Sequence, residues 1–170
     1  MKNVVVTFVG KDKAGLVDQL AQVIVDHHGN WLGSSMSHLA GQFAGIVQVE
    51  LPELELAKFS LELGQIDDLN ITIQEGHPTS SDIEPQDLLS ISIVGNDRKG
   101  IIQEVTKALH SVDANIEQLG SQLESAPNTG QLLFRANVTA LLPEHSSIEE
   151  LTDAIENLGD DVMVDVEYGC

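Results

Sequence analysis

Little in this sequence could staple it, anchor it in a bilayer or match it to a polyanion. Its 170 residues contain one cysteine, Cys170, which excludes an internal disulfide and any need for an oxidising compartment. Positive charge is scarce: 8 Lys and Arg stand against 27 Asp and Glu, for a formal net charge of −19. A surface of that sign repels phosphate backbones and anionic membranes. The only close basic neighbours are Lys11 with Lys13 and Arg98 with Lys99, so direct nucleic-acid binding is not expected. No apolar run approaches the ~20 residues that span a bilayer. The opening MKNVVVTFVG has too short an apolar stretch for a secretory signal. The expectation is a soluble cytoplasmic protein with no membrane partner.

What the sequence does contain is a repeat. VGKDKAGLV at Val9 to Val17 recurs as VGNDRKGII at Val94 to Ile102, displaced by 85 residues, with both glycines, the aspartate and the following basic residue kept. Before each loop, Val4, Val6 and Phe8, or Leu89, Ile91 and Ile93, alternate with more polar positions, the period of a half-buried strand. After it, Leu16, Val17, Leu20, Val23 and Ile24, or Ile101, Ile102, Val105, Ala108 and Leu109, form the apolar stripe of an amphipathic helix. The expected helix stops are Gly29-Asn30 in the first copy and a weaker Asp113-Ala114-Asn115 in the second.

Asn30 and Asn115 each open a second strand. A turn follows at Ala40-Gly41, or at the longer SAPNTG, and then a third strand ending at Pro52-Glu53 or Pro143-Glu144. A second helix is marked in the C-terminal copy by Ile148, Leu151, Ile155 and Leu158 behind a Ser147 to Glu150 capping box. Its N-terminal counterpart, Leu54 to Leu63, is less regular. Each copy closes on a strand: Leu69, Ile71 and Ile73, or Val162, Val164, Val166 and Tyr168. The order β-α-β-β-α-β, twice, predicts an α+β chain of two tandem ferredoxin-like domains with four-stranded antiparallel sheets. The expected bounds are 1–76 and 87–170, with the Pro-, Ser- and acid-rich stretch 77–86 as linker.

The paired glycines first suggest a phosphate loop. That motif requires Lys and then Ser or Thr directly after the second glycine, where Leu16-Val17 and Ile101-Ile102 stand as core-stripe residues. A dinucleotide fingerprint also fails, for lack of a G-x-G start in a parallel unit. A strand-to-helix loop still offers the unpaired first amides of the helix, with its dipole, to a carboxylate. Gly15 and Gly100 permit close approach or a positive φ. Asp12 and Asp97 either bind a ligand amino group or cap their own helices.

No other residue set carries chemistry. The six histidines, His27, His28, His38, His77, His110 and His145, lack the spacing and carboxylate company of a zinc site, and His27 reads as a partly packed ring. Ser37 and His38 are strand neighbours facing opposite ways, so they do not form a nucleophile and base. Trp31 is expected to anchor a core. Asp67-Asp68 and Asp160-Asp161 read as solvated turns. Neither a catalytic group, a metal nor a cofactor is predicted.

The duplicated G-x-D-[KR]-x-G loop, with Asn opening each second strand, resembles paired ACT domains across nearly the whole chain. The stand-alone pair is similar to the glycine cleavage system transcriptional repressor family. That resemblance implies regulation by a small amino acid, glycine among the candidates. It singles out Asp12, Gly15 and Asn30, and Asp97, Gly100 and Asn115, as ligand-binding residues. Family members often carry proline before the second glycine, where this chain has Ala14 and Lys99. The resemblance further implies action through a DNA-binding transcriptional activator, in agreement with the acidic charge. Two other readings stand beside it: an interaction module without ligand, and a detached regulatory subunit of an amino-acid or folate enzyme. Exposed edge strands lead to the expectation of a side-by-side sheet or a homodimer.

Overall fold

Strict alternation makes the first strand of each half. In β1 (Lys2–Lys11), Val4, Val6 and Phe8 point inward and are buried. In β5 (Leu88–Asn96), Leu89, Ile91 and Ile93 do the same. The computed structural model describes residues 1–76, 88–127 and 129–168. The chain divides into two compact units, Met1–Thr79 and Ser80–Cys170. The expected linker 77–86 and His77 lie outside the described residues.

The N-terminal unit continues through α1 (Leu16–Asp26), β2 (Asn30–Leu39), β3 (Gln42–Leu51), α2 (Leu56–Leu63) and β4 (Leu69–Glu75). The C-terminal unit repeats the order with α3 (Ile101–Ser111), β6 (Asn115–Ser125), β7 (Leu132–Leu141), α4 (Ile148–Glu156) and β8 (Met163–Tyr168). The sheet orders are β2-β3-β1-β4 and β6-β7-β5-β8, with every pairing antiparallel. This is the ferredoxin-like arrangement that the sequence pattern predicts, in two copies. The duplication extends to irregularities. Register shifts interrupt β2 between Trp31 and Gly33 and β6 between Ile116 and Gln118, at positions 85 residues apart.

Each core lies between one sheet face and its two helices. In the first unit Val4, Val6 and Phe8 meet Val47, Val49 and Leu51 from the sheet, Leu20, Val23 and Ile24 from α1, and Phe59 and Leu63 from α2. Trp31 packs half-buried against this cluster. The second core is built from the same positions, with Val105, Leu109, Leu151 and Ile155 from its helices. Burying one such side chain contributes about 1.5–3 kcal/mol.

Several local expectations change. Val17 and Ile102 are not in the core: they are 41% and 37% exposed, because the stripe's other four residues already fill the face that α1 and α3 turn to their sheets. Both helices end alike. The left-handed residue is His28 (φ 57) or Asp113 (φ 55), not Gly29. The next amide, Gly29 or Ala114, donates back to the carbonyl of Ile24 or Leu109 at 2.8 and 3.0 Å, as in a Schellman motif. Thus the second stop is as well formed as the first. The second N-terminal helix begins with a 3-10 turn, Glu53–Glu55, before α2 proper. The Ser147–Glu150 capping box forms in full at the start of α4. The Ala40-Gly41 turn has both residues at positive φ, 52 and 78, the type that matches strand twist in a two-residue hairpin.

Candidate functional site

The loops that carry the motif join β1 to α1 and β5 to α3. Their two glycines do different work. Gly10 lies inside the sheet, where an added Cβ would stand 2.0 Å from the Asp68 carbonyl oxygen. Gly15 and Gly100 are the helix N-caps, at φ 87 and 88. A Cβ at either would meet nothing within 4 Å, so the requirement there is conformational rather than spatial. Their carbonyls accept the first helical bonds, from Gln19 at 2.9 Å and Glu104 at 3.0 Å.

No side chain caps either helix. Asp12 and Asp97 therefore do not serve as caps, one of the two roles the sequence left open for them. The Asp12 amide donates to the Gly41 carbonyl at 3.3 Å, and that of Asp97 to Leu132 at 3.1 Å. This ties each loop to the hairpin of its own unit. The Asp12 carboxylate lies 3.7 Å from His38 Nε2, with both side chains more than half exposed.

Positive charge concentrates at these loops. Lys11, Lys13, Arg98 and Lys99 are four of the chain's 8 basic residues. Among the described residues, Lys11, Lys13 and Lys99 have no carboxylate within 4 Å. Free cations beside helix N-termini in an otherwise acidic chain suit a carboxylate, and Asp12 or Asp97 suits an ammonium.

Asn30 and Asn115 are placed elsewhere. Asn30 pairs with Glu50, which pairs with Asn3 at the start of β1, while the loop follows Lys11 at its end. Eight residues of strand separate them, roughly 26 Å at about 3.3 Å per residue. Asn115 is likewise opposite Leu141 and Leu88, at the far end from Asn96. Within one unit the fold brings Asp12 and Gly15 together, and Asp97 and Gly100, but neither pair with its asparagine.

The two loops differ in how they are held. In the C-terminal unit the Asn96 amide donates to the Asp161 carboxylate at 3.0 Å, and Gln131 donates to the Asn96 side chain at 2.9 Å. Arg98 Nη2 donates to the Leu158 carbonyl at 2.9 Å, and Nη1 pairs with Glu104. Asp161 is thus more than a solvated turn residue. The N-terminal loop has the Asp12–His38 approach as its one side-chain ion contact among the described residues. The sequence shows Arg98 as half of a basic doublet and Asp161 as half of an acidic turn, but nothing in it signals the bonds that these two and Glu104 make.

His27 also departs from expectation. Its ring is 7% exposed and is flanked by Glu55 at 3.1 Å from Nδ1 and Glu62 at 2.8 Å from Nε2, and it stands edge-on to Phe59. It does have carboxylate company, which reaches it from α2 and the turn before it. The bond to Glu55 is the main cause that raises the His27 pKa above its ordinary value, and the same bond leads in lowering that of Glu55. The two carboxylates sit on different ring nitrogens and share no point. Among the described residues no group of three or more His, Cys, Asp or Glu is arranged to hold a metal. No helix of the described residues is long and apolar enough to cross a membrane.

A β-α-β-β-α-β unit with a glycine-capped loop into its first helix defines a ferredoxin-like domain, and comparison with known proteins narrows that class to a family. The ACT domain family model matches residues 2–74, so the N-terminal unit is an ACT domain. The C-terminal unit repeats its sheet order, loop and glycines, and the chain has the tandem ACT architecture. A solved protein of unknown function from Galdieria sulphuraria is 25% identical over 99% of both chains, with a TM-score of 0.84. A proposed glycine cleavage system transcriptional repressor shares the fold at 17% identity, covering 98% of this chain and 96% of that one, TM-score 0.71. No curated protein matches the sequence.

Proposed function

We propose that the chain is a non-enzymatic, amino-acid-responsive regulator that acts through protein–protein contact on transcription of glycine cleavage or related amino-acid metabolism genes. The observation that carries this reading is the duplicated loop. Each copy joins a glycine-capped helix start to a lysine that pairs with no carboxylate among the described residues, Lys13 or Lys99, and to an aspartate that caps no helix, in a chain whose −19 charge opposes direct DNA contact. The fold shared with a proposed repressor of glycine cleavage genes supports the choice of pathway. In this reading the ligand's carboxylate faces the amides after Gly15 or Gly100 and the loop lysines, and its ammonium faces Asp12 or Asp97. Asn30 and Asn115 would contact such a ligand only from another copy of the domain. The partner is a DNA-binding activator protein, and the regulator itself is a cytoplasmic homodimer.

Calorimetric titration of the full chain with glycine, serine and alanine at millimolar concentration tests the ligand half. Saturable heat that is lost in Asp12→Ala or Asp97→Ala, with unfolding midpoints unchanged, is the expected result. Absence of heat and of thermal shift for every amino acid overturns it. The partner half is tested by capture from a lysate with and without the amino acid: a DNA-binding protein whose retention depends on ligand is expected, and an amino-acid or folate enzyme in its place would favour the detached-subunit reading.

A further inference from the structure

The two units differ where the first loop meets the end of the second helix. In the C-terminal unit a guanidinium fills that junction, with Arg98 bonded at once to the Leu158 carbonyl beyond α4 and to Glu104 in the first turn of α3. The 85-residue displacement makes Lys13 the counterpart of Arg98 and Gln19 that of Glu104. The helix register, Leu63 for Ile155, makes Ile66 the counterpart of Leu158; both their amides bond the carbonyl three residues earlier, at 3.2 and 3.0 Å.

In the N-terminal unit the same junction is open. Lys13, Gln19 and Ile66 line a cleft of about 350 Å³, whose walls also carry Asp26, Glu62 and Asp67. Lys13 does not close it: an ammonium lacks the planar fork with which Arg98 holds two acceptors, and among the described residues Lys13 pairs with no carboxylate. Three carboxylates outnumber one ammonium around the cleft, and the negative end of α2 faces it. Glu62 is held in place by its 2.8 Å bond to His27. The volume falls in the ~300–1,000 Å³ range of small-molecule sites.

We propose that this cleft is a second ligand site, which borders the loop site at Lys13 and takes a small molecule bearing a guanidinium or primary ammonium group. The ligand's cationic head occupies the place that Arg98 occupies in the other unit, with Ile66 O, Glu62 and Asp67 as its acceptors. In the C-terminal unit its own arginine fills that place. The N-terminal copy is thereby the one that senses an organic cation.

The test is a ¹⁵N NMR titration of the full chain with agmatine and with guanidinium chloride at constant ionic strength, and with glycine in parallel. Saturating shifts at Gln19, Gln65, Ile66 and Asp67, with Glu104 and Leu158 unmoved, are expected for both cations. The double variant Lys13→Arg, Gln19→Glu installs the pair that already folds in the C-terminal unit, and binding weakens about tenfold or more. Asp67→Asn, at an exposed turn, weakens it several-fold. Non-saturating shifts across the acidic surface, equal shifts in both units, or undiminished binding to the double variant overturn the proposal. Glycine shifts at Gly15 or Gly100 without agmatine shifts in the cleft overturn it and leave the loop reading intact. Cleft shifts with agmatine but none with glycine support it and count against the loop reading.

Discussion

Gly10 and Gly95 occupy the same place in duplicated strands, yet alanine at the two should have very different consequences. An added Cβ at Gly10 stands 2.0 Å from Asp68 O and 2.7 Å from Leu69 Cδ2. The first contact is with backbone, and Asp68 is itself held at φ 67 in the turn that delivers Leu69 to its position opposite Gly10. Relief needs a shift of more than an ångström between β1 and β4, so the cost is about 3 kcal/mol, the upper end of ordinary overpacking. At Gly95 the nearest atom is Val162 Cγ2 at 3.3 Å, with Asp161 O at 3.7 Å. A methyl group there needs to give by only a few tenths of an ångström. Alanine also lowers unfolded-state entropy by about 0.4–1 kcal/mol, so Gly95→Ala should lie within about 1 kcal/mol of the parent.

Trp31, the one tryptophan, packs on the N-terminal core and isolates that unit's transition in fluorescence. Two units need not unfold together, so a reporter for one of them is required. Urea titrations followed at Trp31 should show the unfolding free energy of Gly10→Ala falling by about 3 kcal/mol, as a lower midpoint at unchanged slope. The corresponding thermal shift is about 12–24 °C for a unit of this size. In Gly95→Ala the Trp31 midpoint should not move, and the far-UV circular dichroism transition of the other unit should move little. A Gly10→Ala protein within 1 kcal/mol of the parent, or a Gly95→Ala protein equally damaged, would refute the assignment of Gly10 to close backbone approach.

His27→Gln should destabilise the N-terminal unit most at acidic pH. The folded pKa of His27 is raised by Glu55 and Glu62, so its contribution is complete below the unfolded value of about 6.5 and is lost as pH rises through the raised value. Urea midpoints from pH 5 to 9 should therefore converge for parent and variant at the alkaline end, and a gap that widens with pH contradicts the pairing. Gly15→Ala and Gly100→Ala should each cost about 1–2 kcal/mol from left-handed strain, read as lower thermal midpoints, while Gly33→Ala, which meets no atom within 4 Å and has no positive φ, avoids that strain. Ser147→Ala removes the hydroxyl that accepts the Glu150 amide in the α4 capping box and should cost about 1 kcal/mol, seen by circular dichroism with the Trp31 transition unchanged.

The fold was legible because its determinants are short-range. Alternation in β1 and β5, the stripe of α1 and α3, and the hairpin turn at Ala40-Gly41 are each written within a dozen residues, and the 85-residue echo showed that they occur twice. The same reading placed Val17 and Ile102 in the core because helical spacing gives a face but not its width. Gly29-Asn30 reads as the stop of α1, since glycine is the commonest left-handed residue at a helix end. The chain instead puts His28 and Asp113 there, and keeps Gly29 because a Cβ would press on Ile24 O at 3.0 Å. The candidate site was less legible. A motif gives Asp12 and Gly15 their neighbourhood, but Asn30 is assigned by analogy, and only strand register reveals that it lies at the opposite end of the sheet.

The contacts that sequence could not show are those between helices, and they are what separates the copies. Among the described residues each unit ties its two helices with a polar cluster of its own, and the two clusters sit at opposite ends; at the far end of the second unit there is only an exposed pair, His145 with Asp113 at 3.3 Å. In the N-terminal unit the tie is His27, just past the end of α1, bonded to Glu55 and Glu62. Its counterpart Val112 can make no such bond, and there the second unit has a pocket of about 550 Å³ lined by Asp113, His145 and Asp153. In the C-terminal unit the tie is Arg98, just before α3, and its counterpart Lys13 leaves the N-terminal cleft open. One exchange at each end, His for Val and Arg for Lys, thus moves the open end of the helix pair from the loop to the far side. With identical topology, the N-terminal unit opens where the duplicated motif is, while Arg98 fills that place in the other. Sequence divergence at positions 13 and 27, rather than the shared glycines, is therefore where a difference in ligand response between the copies should originate.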